Sequence, residues 1–431
     1  MKKLNLIQRL SGEKTVKNAL WIIFERVFQM LLALVVGLLT ARYLGPSNYG
    51  VLNYTESFVA FATSIAMLGM DSVAVKKIVD HPEEEGCYLG SCMLFRFISS
   101  ILTSIAVSFA VYLLNPGEPL KVVLVIIQSF QLIFRSVQIL DAWFKRYLKS
   151  KYVSIGRMIA SVVVSAYKIF LLATAKNIIW FAVSNTLSDF VISLMLYIFY
   201  KRESTKKLSV EISRGREVLS ESYHFILSGL MVAIYGQMDK IMIGQMMNSS
   251  DVGLYATATA ICGVWVFVPV AIIDSFSPKI MELKSSGDEE NYMRRLLQMY
   301  SGVIWLCLGV SLIISIFAKP IVYILYGEAY MGAVGALRIA IWYETFSMIG
   351  TARGTWVLCE KKNRYVKHYL AIGAVANLIM NSVMIPLWGI NGAAVATLIT
   401  QIITSMIAPL LFKETRVHTK LVLKAFCFKW D

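Results

Sequence analysis

Residues 90–114 read GSCMLFRFISSILTSIAVSFAVYLL, and this stretch decides the class of the fold. It contains a single charged side chain, Arg96, and it ends at Asn115-Pro116-Gly117, a combination typical of turns. A helix needs about twenty mostly apolar residues to cross roughly 30 Å of hydrocarbon. The stretch therefore predicts a membrane-spanning helix.

Similar apolar stretches recur along the whole chain. Of its 431 residues, 57% are hydrophobic and 16% are charged, whereas soluble domains carry about 25% charged residues. The sequence therefore predicts an all-α membrane protein with no large soluble domain. The candidate spans are 19–41, 51–72, 90–114, 121–143, 153–175, 177–200, 222–247, 252–276, 296–318, 333–357, 367–387 and 391–412.

The distribution of basic residues predicts the orientation of these twelve spans. Thirty Lys and Arg residues fall in the two termini and in every second loop, whereas the alternate loops hold four. Because cytoplasmic loops are enriched in Lys and Arg, we expect both termini in the cytoplasm. The net charge of +15 then reflects topology, and no nucleic-acid partner is expected.

Two short matches indicate that the second six spans repeat the first six. The turn GPSNYGV at 45–51 resembles NSSDVGL at 248–254, each with a glycine opening the next helix. Trp143 precedes Tyr152 by nine residues, as Trp356 precedes Tyr365, across basic residues in both cases. Loop chemistry that recurs in any polytopic protein is the alternative. Six spans per half would give parallel repeats.

This division predicts four parts of the chain. They are an N-terminal six-helix bundle over 1–200, a basic cytoplasmic linker over 201–221, a C-terminal six-helix bundle over 222–412 and a cytoplasmic tail over 413–431.

The fourth span carries a polar stripe. Gln128, Gln131, Arg135 and Gln138 recur at steps of three, four and three, which places them on one face of a helix. The stripe predicts the lining of a cavity, and a polar seam between two helices is the alternative.

Other charged residues lie at membrane depth, where each costs at least about 2.5–3.5 kcal/mol near the centre. Arginines in the cytoplasmic halves of their spans predict a cationic vestibule for an anion. For Arg96 and Arg353, near helix ends, snorkelling to the interface is the alternative. Asp239 and Lys240 could instead form a structural pair. The candidate substrate-binding residues are Arg26, Arg135, Gln131, Gln128, Arg96, Lys240 and Arg353.

Signatures of enzymatic chemistry are missing from the sequence. No glycine is followed by lysine, so there is no P-loop, and neither a His-Glu-x-x-His motif nor a nucleophile elbow occurs. We therefore expect no enzyme activity, no catalytic residue, no metal site and no cofactor.

Five short motifs follow one another along the chain. They are TARYLGPSNYG at 40–50, LGMD at 68–71, DAWF at 141–144, DKIMIG at 239–244 and PLWGINGAA at 386–394. In this order they resemble the polysaccharide transporters, which are the lipid-linked oligosaccharide flippases of the multidrug/oligosaccharidyl-lipid/polysaccharide exporter superfamily. Lys145 departs from the pattern, where glutamine would be expected after the Trp-Phe pair.

The resemblance implies a fold, an activity and partners. It implies two six-helix bundles with pseudo-two-fold symmetry around a central cavity, in the bacterial inner membrane. It implies that an undecaprenyl-pyrophosphate-linked oligosaccharide is flipped outward by alternating access, coupled to an ion gradient. Our candidates for the ion-coupling residues are Asp71, Asp239 and Glu25. Membrane lipids, a polysaccharide polymerase and a chain-length regulator are the expected partners.

Two other functions stay open. A drug/cation antiporter of the same superfamily should have a cavity rich in acidic residues, whereas here buried Arg and Lys match or slightly exceed the acids. A non-transporting membrane scaffold of a polysaccharide assembly pathway should lack so many buried charges.

Overall fold

Helices make up almost all of the chain. The computed structural model describes the backbone of residues 2–427 and the side chains of Trp21 and residues 24–427. No strand occurs in this described backbone, and the prediction of an all-α membrane protein is confirmed. The helices are α1 Lys2–Ala66, α2 Asp71–Asp80, α3 Glu85–Leu114, α4 Pro119–Arg135, α5 Asp141–Arg146, α6 Ser150–Ala173, α7 Ile178–Glu203, α8 Ile212–Met246, α9 Ser249–Gly263, α10 Phe267–Ser285, α11 Glu289–Ile316, α12 Ala318–Tyr326, α13 Ala333–Cys359, α14 Val366–Ile402 and α15 Arg416–Phe426.

Nine helical segments of the described chain are long and apolar enough to cross a membrane. Two of these segments, Phe24–Asp80 and Asn363–Leu411, bend at a glycine with positive φ, Gly45 (69°) and Gly389 (58°), so each contains two predicted spans. Helix α13 is not among the nine, because charged residues interrupt its apolar sequence, and it coincides with the tenth predicted span. All twelve predicted spans therefore fall on helical segments.

The chain divides into two compact units. The first unit consists of Met1–Leu44 and Thr55–Ala233, and the second consists of Gly45–Tyr54 and Ile234–Asp431. The division falls within α1 and within α8, so both helices contribute to both units. The four-part division of the sequence stays a prediction.

The core of the first unit contains a cluster of aromatic side chains around Trp143. Phe144, Tyr88 and Tyr200 are buried with it, and the Trp143 Nε1 donates a hydrogen bond to Glu85 Oε1 at 3.1 Å. Large aromatic side chains bury 150–250 Å² each, and a buried indole N–H needs an acceptor. This cluster holds α3, α5 and α7 together beside the polar stripe of the fourth span.

The segment between α7 and α8 is packed against α3. A Cβ atom on Gly90 would lie 2.2 Å from the carbonyl oxygen of Ser209, so only glycine allows this approach. Ser91 Oγ donates to the Glu211 carbonyl and accepts from the Glu211 N–H, both at 2.9 Å. Residues 204–211, in the predicted linker, are therefore held on the first unit.

The two turns that match in sequence contact each other within the second unit. A Cβ on Gly50 would lie 1.6 Å from the Ser249 carbonyl oxygen, and a Cβ on Gly253 would lie 2.1 Å from the Pro46 carbonyl oxygen. Each backbone thus approaches the other through a residue that lacks a side chain.

The core of the second unit includes the last helix of the described chain. Val422 of α15 is buried with Tyr300 of α11 and Trp356 of α13. Ser301 Oγ donates to the Ala425 carbonyl at 2.8 Å, which adds a buried hydrogen bond to this packing. Helix α15 is therefore packed into the core of the second unit.

Candidate functional site

The polar stripe of the fourth span lies partly on an α-helix and partly on a 3₁₀ turn. Helix α4 ends at Arg135, and a 3₁₀ turn over Ser136–Leu140 follows before α5 begins. Gln128, Gln131 and Arg135 lie on α4, whereas Gln138 lies in the 3₁₀ turn. Although Gln138 lies in the tighter turn, its side chain joins the same hydrogen-bond network as Gln131 and Arg135.

Arg135 is the centre of that hydrogen-bond network in the first unit. Its Nε donates to Asp189 Oδ2 at 2.8 Å, and its Nη2 donates to Gln131 Oε1 at 3.2 Å. Gln138 Nε2 donates to the other oxygen of Asp189 at 2.8 Å. Gln131 Nε2 in turn donates to Glu56 Oε2 at 3.2 Å. The stripe therefore connects carboxylates on α1 and α7.

Sequence reasoning missed three members of the network: Glu56, Asn185 and Thr63, whose hydroxyl accepts from Arg135 Nη1 at 3.2 Å. Glu56 was not among the candidate residues, although it lies within the second predicted span, and its position in an apolar helix was the available signal. Asn185, which donates to Glu56 Oε2 at 2.9 Å, gave no such signal because a neutral amide is common in helices.

Arg96 and Asp71 form a second charge pair in the first unit. Arg96 Nη2 lies 2.9 Å from Asp71 Oδ2, and the arginine side chain is 1% exposed whereas that of the aspartate is 60% exposed. Arg96 is therefore buried in the protein and does not snorkel. Asp71, a candidate for ion coupling, neutralises it.

The charge pair of Arg96 lies beside the network of Arg135. A cavity of about 210 Å³ separates them, and it is lined by Met67, Asp71, Arg96, Arg135, Gln138 and Asp189. Two candidate substrate-binding arginines thus face one space.

Glu25 and Arg26 have different environments although they are adjacent on α1. Glu25 is buried, accepts a hydrogen bond from Ser154 Oγ at 3.3 Å and lies 3.9 Å from Arg157 Nη1. Arg26 is exposed, and no ion pair joins it to another described side chain. Of the two side chains, Glu25 is buried and Arg26 is exposed.

Asp239 is the most extensively hydrogen-bonded candidate in the second unit. The phenol of Tyr255 donates to its Oδ2 at 2.6 Å, and the Thr397 hydroxyl donates to the same oxygen. The amides of Asn377 and Asn381 donate to its Oδ1 at 3.1 Å and 2.7 Å. All four partners are neutral, so a buried carboxylate is surrounded by oxygen and amide groups from α9 and α14.

The guanidinium of Arg353 bonds to groups within the protein. Its Nη1 donates to the Thr404 carbonyl at 2.6 Å, and its guanidinium lies 4.4 Å from the centre of the Tyr369 ring. Thr404 belongs to a π-helical turn over Ile403–Ile407, where the wider helix changes the usual backbone pairing. This arrangement binds α13 to α14.

Gln128 and Lys240, the other two candidate substrate-binding residues, differ in burial. Gln128 is fully buried, about one turn before Gln131, and Lys240 is half-buried next to Asp239.

The sequence and the fold match known proteins. Residues 15–283 match a family model described as "Polysaccharide biosynthesis protein". The chain is 24% identical over 370 residues to the probable low-salt glycan biosynthesis flippase Agl15 of Haloferax volcanii, over 83% of this chain and 75% of that protein. It is 22% identical over 422 residues to a putative O-antigen transporter of Shigella flexneri, over 92% of this chain and 97% of that protein.

The solved structure of the lipid II flippase MurJ, in an inward closed conformation, has the same fold. The TM-score is 0.74 at 16% sequence identity, and the match covers 96% of this chain and 90% of that chain.

Proposed function

The chain belongs to the polysaccharide biosynthesis protein family, within a superfamily of flippases and O-antigen transporters, and we propose that it flips a lipid-linked glycan. The substrate is an undecaprenyl-pyrophosphate-linked oligosaccharide repeat unit, moved from the cytoplasmic to the outer face of the inner membrane for surface polysaccharide synthesis. The observation that carries this proposal is the network of charged and amide groups around Arg135 at membrane depth. Such groups are costly in lipid and mark substrate pathways.

Arginine suits the anionic part of this substrate. A guanidinium binds phosphate oxygens through two parallel N–H groups, and these charge-assisted hydrogen bonds are stronger than neutral ones. Arg26 is exposed, so it is the first candidate for the pyrophosphate. Arg135, Gln131 and Gln128 continue the path deeper into the first unit.

Coupling to an ion gradient is assigned to Asp239. Glu25 and Asp71 each lie close to an arginine, which already neutralises their charge. The four hydrogen-bond donors to Asp239 are neutral hydroxyl and amide groups that also carry oxygens, and carboxylate with carbonyl and hydroxyl oxygens suits hard cations. The absence of a P-loop agrees with a driving force other than ATP hydrolysis.

The location and the partners follow from the same proposal. The protein lies in the inner membrane with both termini in the cytoplasm, where the basic loops of the sequence belong. A polymerase and a chain-length regulator act on the flipped unit, and membrane lipids surround the chain.

The test is export of surface polysaccharide by cells that carry only a variant chain. Arg26→Ala and Arg135→Ala should each lower export at equal expression, and Arg26→Lys and Arg135→Lys should restore part of it because the charge returns. Arg294→Ala, which removes an exposed arginine elsewhere, is the matched control. Unchanged export in both alanine variants would contradict the proposal.

A further inference from the structure

The cavity beside Arg135 has features of a preformed ligand-binding site. It lies inside the first unit, and five of its six lining side chains are polar: Asp71, Arg96, Arg135, Gln138 and Asp189. Its volume of about 210 Å³ is below the ~300–1,000 Å³ of pockets for drug-sized ligands. It therefore suits one small polar ring and not a whole oligosaccharide.

The guanidinium of Arg96, which lines this cavity, lacks hydrogen-bond acceptors in the described part of the chain for two of its nitrogens. Its side chain is 1% exposed, and Nε has no hydrogen-bond partner among the described residues. Nη2 lies 2.9 Å from Asp71, yet it does not meet that carboxylate in hydrogen-bonding geometry. Buried guanidinium N–H groups without an acceptor are unfavourable. Because Arg96 also lines the cavity, a bound ligand with acceptor oxygens would lie beside these unsatisfied groups.

The charges around the cavity balance each other. Arg96 is paired with Asp71, and Arg135 is paired with Asp189, so the lining has two cations and two anions. A phosphate would gain from the arginines and lose to the aspartates. A hydroxyl both donates and accepts, so it can bind to guanidinium and carboxylate at once. The lining is therefore matched to a neutral polyhydroxyl compound.

We propose that this cavity binds one monosaccharide ring of the lipid-linked glycan, with Arg96 and Gln138 donating to sugar oxygens and Asp71 and Asp189 accepting from hydroxyls. The proposal rests on the proposed function, because the sugar arrives attached to its lipid carrier. The proposal assigns the two parts of the substrate to different places: Arg26 binds the pyrophosphate, and the cavity recognises the first sugar.

The experiment measures binding of two kinds of probe to the purified full chain in lipid nanodiscs. One is undecaprenyl pyrophosphate, and the other is undecaprenyl pyrophosphate that carries one glucose, galactose or N-acetylglucosamine. The variants are Gln138→Ala, which removes a polar group from the lining, and Met67→Trp, which fills the cavity. Ser136→Ala and Met67→Leu are the matched controls, since Ser136 lies in the same turn outside the lining.

Wild type should bind at least one glycosylated probe about tenfold more tightly than undecaprenyl pyrophosphate, as one or two charge-assisted hydrogen bonds allow. Gln138→Ala and Met67→Trp should remove that difference, so that each variant binds the glycosylated probes no more tightly than undecaprenyl pyrophosphate. The controls should behave like wild type.

Three outcomes would overturn the sugar site. Wild type that binds every probe equally has no sugar preference to explain. Variants that weaken both kinds of probe equally indicate a phosphate site. Variants that retain the full preference place the sugar elsewhere. Wild type that binds no probe would contradict the proposed function itself, and Arg26→Ala tests that function separately, because it should weaken both kinds of probe.

Discussion

Arg135 Nε lies 2.8 Å from Asp189 Oδ2, and this pair joins the fourth span to the sixth inside the first unit. Asp189 is almost buried, whereas about a third of the Arg135 side chain is exposed. The guanidinium is thus fixed by hydrogen bonds to Asp189, Thr63 and Gln131, and Arg135 also lines the cavity. The pair positions the charge that we assign to substrate binding.

Breaking this pair should cost stability in a non-additive way. Arg135→Gln or Asp189→Asn alone leaves a charge without its partner, and each should lower the free energy of unfolding by about 1.5–3 kcal/mol. The double variant removes both charges and should lose less than the sum of the single losses. Thermal unfolding in detergent measures this, and strictly additive losses would show that the two residues do not interact.

The spans could be predicted from the sequence because lipid imposes a simple rule on composition. Runs of apolar residues and the turns at 45–51 and 248–254 located the helices. Gly45 and Gly389 lie in the turns that the sequence predicts, and both are non-helical, but one helix passes into the next there through a sharp bend with almost no loop. Bending depends on one φ angle and not on composition, so hydropathy does not reveal it.

The site was predictable only within one helix. The spacing of Gln131 and Arg135 on α4 placed them together because four residues complete about one turn. Their partners Glu56 and Asp189 come from other helices, and which helices meet depends on packing across the whole unit. For the same reason, the sequence did not show that Arg353 donates to a backbone carbonyl whereas Arg26 is exposed.

A methyl group on Gly50 should disturb the packing of the two matched turns. In Gly50→Ala the new Cβ would lie 1.6 Å from the Ser249 carbonyl oxygen, so backbone must move. We expect a loss of at least about 1–3 kcal/mol, as for other overpacked sites. Gly37→Ala is the control, because a Cβ there has no neighbour within 4 Å, and alanine favours the helix. Equal melting temperatures of the two variants would argue against this close contact.

The segment over residues 204–211 should come loose when Gly90 is replaced. Gly90→Ala places a Cβ 2.2 Å from the Ser209 carbonyl oxygen and pushes this segment away from α3. Limited proteolysis should then cut between α7 and α8 faster than in wild type. Gly302→Ala, where a Cβ has no neighbour within 4 Å, should not change the rate. A Gly90→Ala variant as resistant as wild type would show that the segment tolerates the displacement.

Asp239→Asn should uncouple transport from an ion gradient. The substitution keeps the size of the side chain, but it removes the charge and turns an NH₂ group towards donors such as Tyr255 and Asn381. In proteoliposomes, flipping by wild type should respond to an imposed sodium or proton gradient, and the responsive gradient identifies the ion. The variant should lose that response. Glu290→Gln, which removes an exposed carboxylate, is the control, and an unchanged response in Asp239→Asn would contradict the assignment.

The docking of α15 should weaken as the pH falls below about 6.5. His418 is fully buried, with its ring about 5.6 Å from those of Tyr300 and Trp356. Burial, and then the charge of Arg353, lower the pKa of His418 to about 3. In the undocked helix the pKa would be near 6.5, so between these values the undocked state binds the extra proton.

The direction of the effect follows from that difference. Docking is fully stable above about pH 6.5 and loses about 1.4 kcal/mol for each pH unit below it, which is tenfold more frequent opening at pH 5.5. Hydrogen exchange of residues 416–426, corrected for the intrinsic pH dependence of exchange, should therefore speed up between pH 7.5 and 5.5. Nearby Glu414 should not contribute, because hydrogen bonds from Lys362 lower its pKa and keep it ionised in this range. His418→Gln cannot titrate and should show no such change, whereas the same acceleration in this variant would assign the pH dependence to another group.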